Sequence, residues 1–402
     1  MSAPEAPVKT TMSIKEVLRD TNLLIVFSIT LMAVMAVSSI TPAFPSIIKH
    51  FSISPAQVGL LITVFTLPGV FLPPFTGVLA DRLGRKRILV PSLLLFGVAG
   101  TACGFAQTFE QLVVLRFLQG LGGASLGTLN TTLLGDLYKG RMRTAVMGYN
   151  SSVLSIGTAS YPAIGGLLAT FGWHYPFFLP VIAVGVGLFT LFCLNNPEPH
   201  SEEHLRDYLR NAVASIRHPK AVLLFIASLV TFVILYGPYL TFLPILLDER
   251  FGSSALAIGL LFSVGSIVSA VTATQLGRLS RRYSEKSLIR SGFVLYVAVL
   301  SSIPFIPDFW WLLIPAAGFG IAQALNIPSI FSLLTGMAPL EYRAAFMSFN
   351  GMVLRLGQTL GPALAGLAFG WWGLNGSFLF GATVAVVMLL VLMVPIRLEA
   401  GH

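Results

Sequence analysis

Gly77-Val-Leu-Ala-Asp81-Arg82-Leu-Gly84-Arg85-Lys86-Arg87 is a dense cluster of charge between two long apolar runs. Leu60 to Ala80 and Ile88 to Ala106 are each long enough to cross a hydrocarbon core, which takes about 20 apolar residues per helix. The cluster therefore reads as a turn between two membrane helices, and its four cations put it on the cytoplasmic side. Gly84 permits the tight reversal. Asp81 falls at the C-terminal end of its helix, where the helix dipole disfavours a carboxylate, so it requires a partner. Arg85 is the nearest cation, and the positive N-terminal end of another helix is the alternative.

Composition agrees with a membrane protein: of 402 residues 55% are hydrophobic and 10% charged, against about 25% charged in soluble domains. The formal charge of +9 would suit nucleic acid, but its distribution excludes that reading. With both termini cytoplasmic, 21 of the 25 cations fall in cytoplasmic segments. Lys49 and Arg250 lie outside, and Arg116 and Arg355 lie within helices. This is the positive-inside pattern, and it predicts a multi-pass protein of the inner or cytoplasmic membrane. The first 20 residues mix Lys9, Lys15, Arg19, Glu5, Glu16 and Asp20 without an apolar core, so they are not a signal peptide. Cys103 and Cys193 lie in apolar runs, which predicts buried thiols, with no disulfide, metal site or cofactor.

Apolar runs give twelve spans, at about 22–44, 57–80, 88–107, 112–136, 144–168, 175–194, 221–247, 255–279, 287–305, 310–335, 344–368 and 374–396. The longest polar interruption contains Ser201-Glu-Glu-His-Leu-Arg-Asp-Tyr-Leu-Arg210, and Leu205, Tyr208, Leu209 and Val213 suggest an amphipathic surface helix there. The expected organisation is a cytoplasmic segment 1–21, a six-helix bundle 22–195, a linker 196–220, a second bundle 221–396 and a cytoplasmic tail 397–402. A shift of 200 residues superimposes Gly59-Leu60-Leu61 on Gly259-Leu260-Leu261, and Gly77 on Gly277. It also matches Arg143, Met147 and Asn150 with Arg343, Met347 and Asn350, and Gly157, Pro162 and Gly166 with Gly357, Pro362 and Gly366. The repeat predicts an all-α fold of two bundles related by a pseudo-two-fold axis along the membrane normal, with a substrate pathway between them. The partner of Asp81 in this register is Arg281, so the two halves do not carry the same charge switch.

The Gly-x-Leu-Ala-Asp-Arg-x-Gly-Arg-Lys-Arg pattern at Gly77 to Arg87 resembles the loop between helices 2 and 3 of the major facilitator superfamily of secondary transporters. The resemblance extends over nearly the whole chain. Arg116-Phe-Leu-Gln119-Gly120-Leu-Gly122 is similar to the family's helix 4 motif, whose arginine is associated with the central cavity and proton coupling. Gly148, Gly157, Pro162, Gly165 and Gly166 resemble the helix 5 motif of twelve-helix drug:proton antiporters, with Tyr161 standing where a glycine is usual. Gly357, Gly361, Pro362 and Gly366 partly repeat it in helix 11. The plain physical reading of these small residues is close helix packing. The resemblance also implies that Asp136, at the end of helix 4, joins Gly77, Asp81, Arg82, Gly84 and Arg85 in a conformational switch. Asp81 would also approach the N-terminal end of helix 11 near Ala344.

Arg116, Gln119, Gly120, Gly123, Gly127 and Asn130 share one helical stripe. Arg355 lies near mid-depth, with Gln358 and Thr359 one turn on, and Tyr236, Tyr239, Gln323 and Asn326 come from helices 7 and 10. A buried arginine is functional by default, so Arg116, Gln119, Asn130, Arg355, Gln358, Tyr236, Tyr239, Gln323 and Asn326 are the candidate substrate-binding residues. No Asp, Glu or His lies near the middle of any span, so a ligand that supplies the counter-charge is expected to be anionic or zwitterionic. No nucleophile–base pair or phosphate-binding loop is present, which argues against an enzyme. The expected function is export of a small amphipathic drug, metabolite or siderophore-like compound by a monomer, with protons as the coupling ion. Uptake or exchange of an organic anion on the same fold is the alternative, and a non-transporting membrane sensor is the alternative of another class.

Overall fold

The computed structural model describes residues 19–195, 219–337 and 343–394, and every regular element among them is helical. Eleven of these helices are long and apolar enough to cross a membrane. In chain order the spans are α1 Thr21–Phe51, α2 Pro55–Leu83, α3 Arg85–Phe105, α4 Phe109–Leu137, α5 Gly140–Phe171 and α6 Tyr175–Cys193. The second half begins with α7 Pro219–Phe251, α8 Ala255–Leu279, α9 Glu285–Phe305 and α10 Phe309–Met337. The last helix, Arg343–Met393, runs for 51 residues but is broken at Gly373, whose φ of 68° is non-helical. At about 1.5 Å per residue an unbroken helix of that length would overshoot a bilayer more than twofold. It is therefore two spans, α11 (343–372) and α12 (374–393), which gives the twelve that the sequence predicts. Linker residues 196–218, on which the predicted amphipathic helix falls, the C-terminal tail and most of the first 21 residues lie outside the described residues.

Local sequence accounts for the interruptions. Asp20 caps α1 by accepting from the Leu23 amide at 3.1 Å, and α1 continues to Phe51 through a 3-10 turn at Thr41–Ala43, seven residues beyond the predicted end. α2 hinges at Leu67, before Pro68, because proline lacks the amide that would continue the ladder. In α7, Leu235–Phe242 forms a π-helical segment around Pro238. Thr241 Oγ1 donates to the Tyr236 carbonyl at 2.6 Å there.

The contacts between the halves display the pseudo-two-fold axis directly. A Cβ placed on Gly59 of α2 would lie 3.0 Å from Pro362 of α11, and one on Gly259 of α8 would lie 2.1 Å from the Pro162 carbonyl of α5. These two pairs are the same pair displaced by 200 residues. A Cβ on Gly166 would meet Ala255 at 2.4 Å, and one on Gly366 would meet Ala56 at 3.5 Å, in the same sense. Two seams, α2 with α11 and α5 with α8, thus close the molecule at the end carrying Lys49 and Asp248. At the other end, rich in Lys and Arg, a Cβ placed on Gly77, Gly148, Gly277 or Gly351 would meet none of the described residues within 4 Å. Among the described residues the molecule is therefore open at these positions toward the basic end.

Candidate functional site

Gly84 stops α2 and starts α3 with φ 98°, a conformation glycine adopts without strain. This reversal returns Arg85 to the bundle, where it is 6% exposed. Its Nη1 pairs with Asp81 Oδ1 at 3.0 Å, and its Nε donates to Asp136 Oδ2 of α4. Burial of one cation between two carboxylates ties α2, α3 and α4 together at the basic end. Arg82 is exposed, and Gly77 faces open space. The predicted approach of Asp81 to Ala344 falls on a residue whose side chain lies outside the described set.

Arg116 is fully buried, and so is Gln119. Arg116 Nε donates to the Leu61 carbonyl at 3.1 Å, and Nη1 donates to the Ala36 carbonyl at 3.1 Å and to Gln119 Oε1 at 2.6 Å. Ala36 has an acceptor to spare because the Ile40 amide turns to Val37 as α1 tightens. The guanidinium also sits over the Phe65 ring, 4.4 Å from its centroid. Arg116 is thus a clamp joining α1, α2 and α4, closed off from solvent on every side. Asn130 is 4% exposed and donates to Thr30, which donates in turn to Asn150. The glycine stripe divides: Gly120 packs against the Phe65 carbonyl, while Gly127 faces open space.

The second candidate group also divides. Tyr239 is 5% exposed and stacks on Phe319 at 3.7 Å, inside the second bundle. Asn326 is 0% exposed, with its Cβ against Gly292 of α9. In this conformation Arg116, Gln119, Asn130, Tyr239 and Asn326 therefore line no open surface, contrary to the expected pocket. A shared helical face does not reveal whether that face looks inward to the bundle or across to the other half. Arg355, Gln323 and Tyr236 remain half-buried and Gln358 is 8% exposed. Arg355 Nη1 donates to Gln358 Oε1 at 3.0 Å, and Tyr236 is close enough to interact with Arg355 electrostatically. Among the described residues Arg355 has no carboxylate partner.

Sequence reasoning missed the other half of this contact. Thr63 Oγ1 donates to the Thr359 carbonyl at 3.0 Å, and the Thr66 and Thr359 hydroxyls share a hydrogen bond of 2.8 Å. Gly69 follows on the same face of α2. The signal was a run of small or hydroxylated residues at three-residue spacing in an otherwise apolar helix. The motif glycines do lie in close contacts: Gly165 packs on the Ser39 carbonyl, Gly361 on the Val233 carbonyl, and Gly157 beside Leu31, while Gly148 faces open space. Cys103 is buried and Cys193 half-buried, both as free thiols.

Comparison with known proteins agrees with this architecture. The sequence model of the Major Facilitator Superfamily matches residues 26–306 and 239–400. Multidrug resistance protein 1 of Bacillus subtilis is 26% identical over 353 residues, covering 87% of this chain and 88% of its own length. The Bacillibactin exporter of Bacillus subtilis is 26% identical over 356 residues, covering 85% and 88%. A bacterial homologue of the human lysosomal transporter Spinster, solved in an inward-facing and occupied conformation, superimposes with a TM-score of 0.78. That comparison covers 95% of this chain and 98% of the other at 16% identity, and so concerns the fold alone.

Proposed function

We propose that this chain, which belongs to the major facilitator superfamily, exports a small amphipathic anion or zwitterion by alternating access in exchange for protons. The observation that carries this reading is Arg355: half-buried beside the α2–α11 seam, on the side toward the open basic end, and without a carboxylate among the described residues. An unneutralised guanidinium in a low-dielectric wall favours a ligand that brings its own negative charge. Relatives named as a multidrug resistance protein and a bacillibactin exporter support the outward direction. The basic end is read as cytoplasmic from the positive-inside pattern, so the open cavity would load from the cytoplasm.

In this reading Arg355, Gln358, Tyr236 and Gln323 contact the substrate, and Arg116 holds α1, α2 and α4 in register. Coupling rests on Asp81 and Asp136. Both neutralise Arg85, and a proton on either carboxylate removes one of the two opposing charges and loosens the tie between α2, α3 and α4. The monomer needs no second chain to complete this constellation.

Thermal unfolding of the detergent-purified protein against anionic, zwitterionic and cationic amphiphiles tests the reading, because a ligand that binds only the native state must raise its apparent stability. Anions are expected to stabilise wild type and to lose that effect in Arg355→Gln. Arg116→Gln is expected instead to lower the ligand-free melting temperature. Stabilisation by cations that survives Arg355→Gln would overturn the anion assignment, and substrate uptake into proteoliposomes along an outward proton gradient would overturn export.

A further inference from the structure

We infer that Gly69 is the positioning residue for Arg355, and that its missing side chain sets the preference of the site for anionic over neutral ligands. This rests on the reading of Arg355 as the anion-binding group. The three atoms nearest to a Cβ built on Gly69 all belong to Arg355: Cδ at 3.1 Å, Cγ at 3.2 Å and Nε at 3.2 Å. The stem of an arginine from one half is thus laid across the backbone of a glycine from the other. Elsewhere on the two seams the tight glycines Gly59, Gly166 and Gly259 meet a proline, a neighbouring threonine or main-chain atoms.

Position adds to the geometry. Along α2 the seam descends through Ala56, Gly59, Thr63 and Thr66, which meet Gly366, Pro362 and Thr359 of α11. The Gly69–Arg355 contact comes next, and beyond it Gly77 and Gly351 face open space. The contact therefore lies where the closed seam gives way to the cavity. Gln358 holds one end of the guanidinium and Gly69 supports the stem, so together they fix its direction. The equivalent positions in the other seam, Ser155 and Ser269, are uncharged, so this device occurs on one side of the cavity only.

A methyl at 69 falls within a distance that obliges the neighbour to shift by a few tenths of an ångström, and the neighbour is a flexible side chain. The arginine is therefore expected to move while the seam stays intact. Alanine is also the better helix former, so Gly69→Ala should not lower the ligand-free melting temperature.

The test measures apparent affinity, by thermal stabilisation, for 2-naphthoate and for its uncharged isostere 2-naphthamide. Wild type, Gly69→Ala, Arg355→Gln and the double variant are compared. Gly69→Ala is expected to weaken 2-naphthoate about tenfold, the loss of one well-placed charge-assisted hydrogen bond, and to leave 2-naphthamide unchanged. In the Arg355→Gln background the same substitution should have no further effect. Equal losses for both probes, an undiminished loss without Arg355, or wild-type affinity in Gly69→Ala would each overturn the positioning role while leaving Arg355 as the binding group. Failure of 2-naphthoate to stabilise wild type, or full affinity in Arg355→Gln, would sink the anion reading and this inference with it.

Discussion

Arg85, Arg116 and Arg355 differ in what satisfies them and in how far each is buried, and those differences separate the roles proposed for them. Arg85 has two carboxylates, Arg116 has two main-chain carbonyls and a glutamine, and Arg355 has one glutamine. Neither Arg116 nor Arg355 has a carboxylate among the described residues, and Arg116 Nη2 is buried without a hydrogen-bond partner. Arg116 is closed off from solvent while Arg355 is half-buried, so Arg355 is the one proposed to meet a ligand. For Arg85 the two acids are not equivalent, because the Asp136 side chain is 22% exposed and that of Asp81 is 35% exposed. The more sheltered partner loses less of its attraction to solvent screening. Asp136→Asn is therefore expected to cost about 1.5–3 kcal/mol, the range for hydrogen bonds to charged groups, and Asp81→Asn less. Thermal unfolding of the two variants side by side reads the order, and equal midpoints would contradict it. The charge cluster itself was legible because charge between apolar runs has few explanations. Which acid would be the closer partner was not, because Asp81 and Asp136 are 55 residues apart in sequence and meet only through the packing of α2, α3 and α4.

Apolar length and punctuation located the helices well, since a bilayer fixes the length that a span must have. Two features escaped. The π-helical segment Leu235–Phe242 has no periodicity signature of its own, yet it sits where α7 brings Tyr236 toward Arg355. Such segments recur at functional sites. The continuation of α1 to Phe51 escaped because the polar Lys49 and His50 resemble a loop when only hydropathy is read. The seam glycines make a sharper prediction. At Gly259 an added methyl would lie 2.1 Å from the Pro162 carbonyl, and a backbone atom cannot step aside as an arginine stem can. Gly259→Ala is thus expected to prevent full closure of the α5–α8 seam, at a cost of about 1–3 kcal/mol for overpacking. Gly59→Ala, facing Pro362 at 3.0 Å, should do so less. Disulfide cross-linking between cysteines introduced on α5 and α8 at the closed end measures this: it should fall most in Gly259→Ala, and unchanged cross-linking would refute the seam's dependence on that glycine.

On the scale of the molecule, the repeat relates the two halves at one end, and both seams close at the end that carries Lys49 and Asp248. Gly59 with Pro362 and Gly259 with Pro162 place equivalent glycine–proline contacts, one looser than the other, at the same end of both seams, so one rigid rotation would open them together. The 200-residue register exposed that symmetry in advance. It left open which end is closed in a given conformation, because the sequence is the same in both. Besides packing, the closed end has an ion pair across the halves, Lys49 Nζ to Asp248 Oδ1 at 2.8 Å. The Lys49 side chain is 68% exposed, and exposed pairs contribute only about 0.2–1 kcal/mol. Such a contact cannot hold the end shut, but it can tip a balanced equilibrium. Lys49→Glu should therefore shift the population toward opening at this end by about two- to fivefold, more at low than at high salt. The exchange Lys49→Glu with Asp248→Lys should restore it. Spin-label distances across the Lys49–Asp248 end, recorded for wild type, single and exchanged variants, provide the measure. A shift that the exchange does not reverse would mean that position 49 acts through packing, and the closed end would then rest on its glycine seams alone.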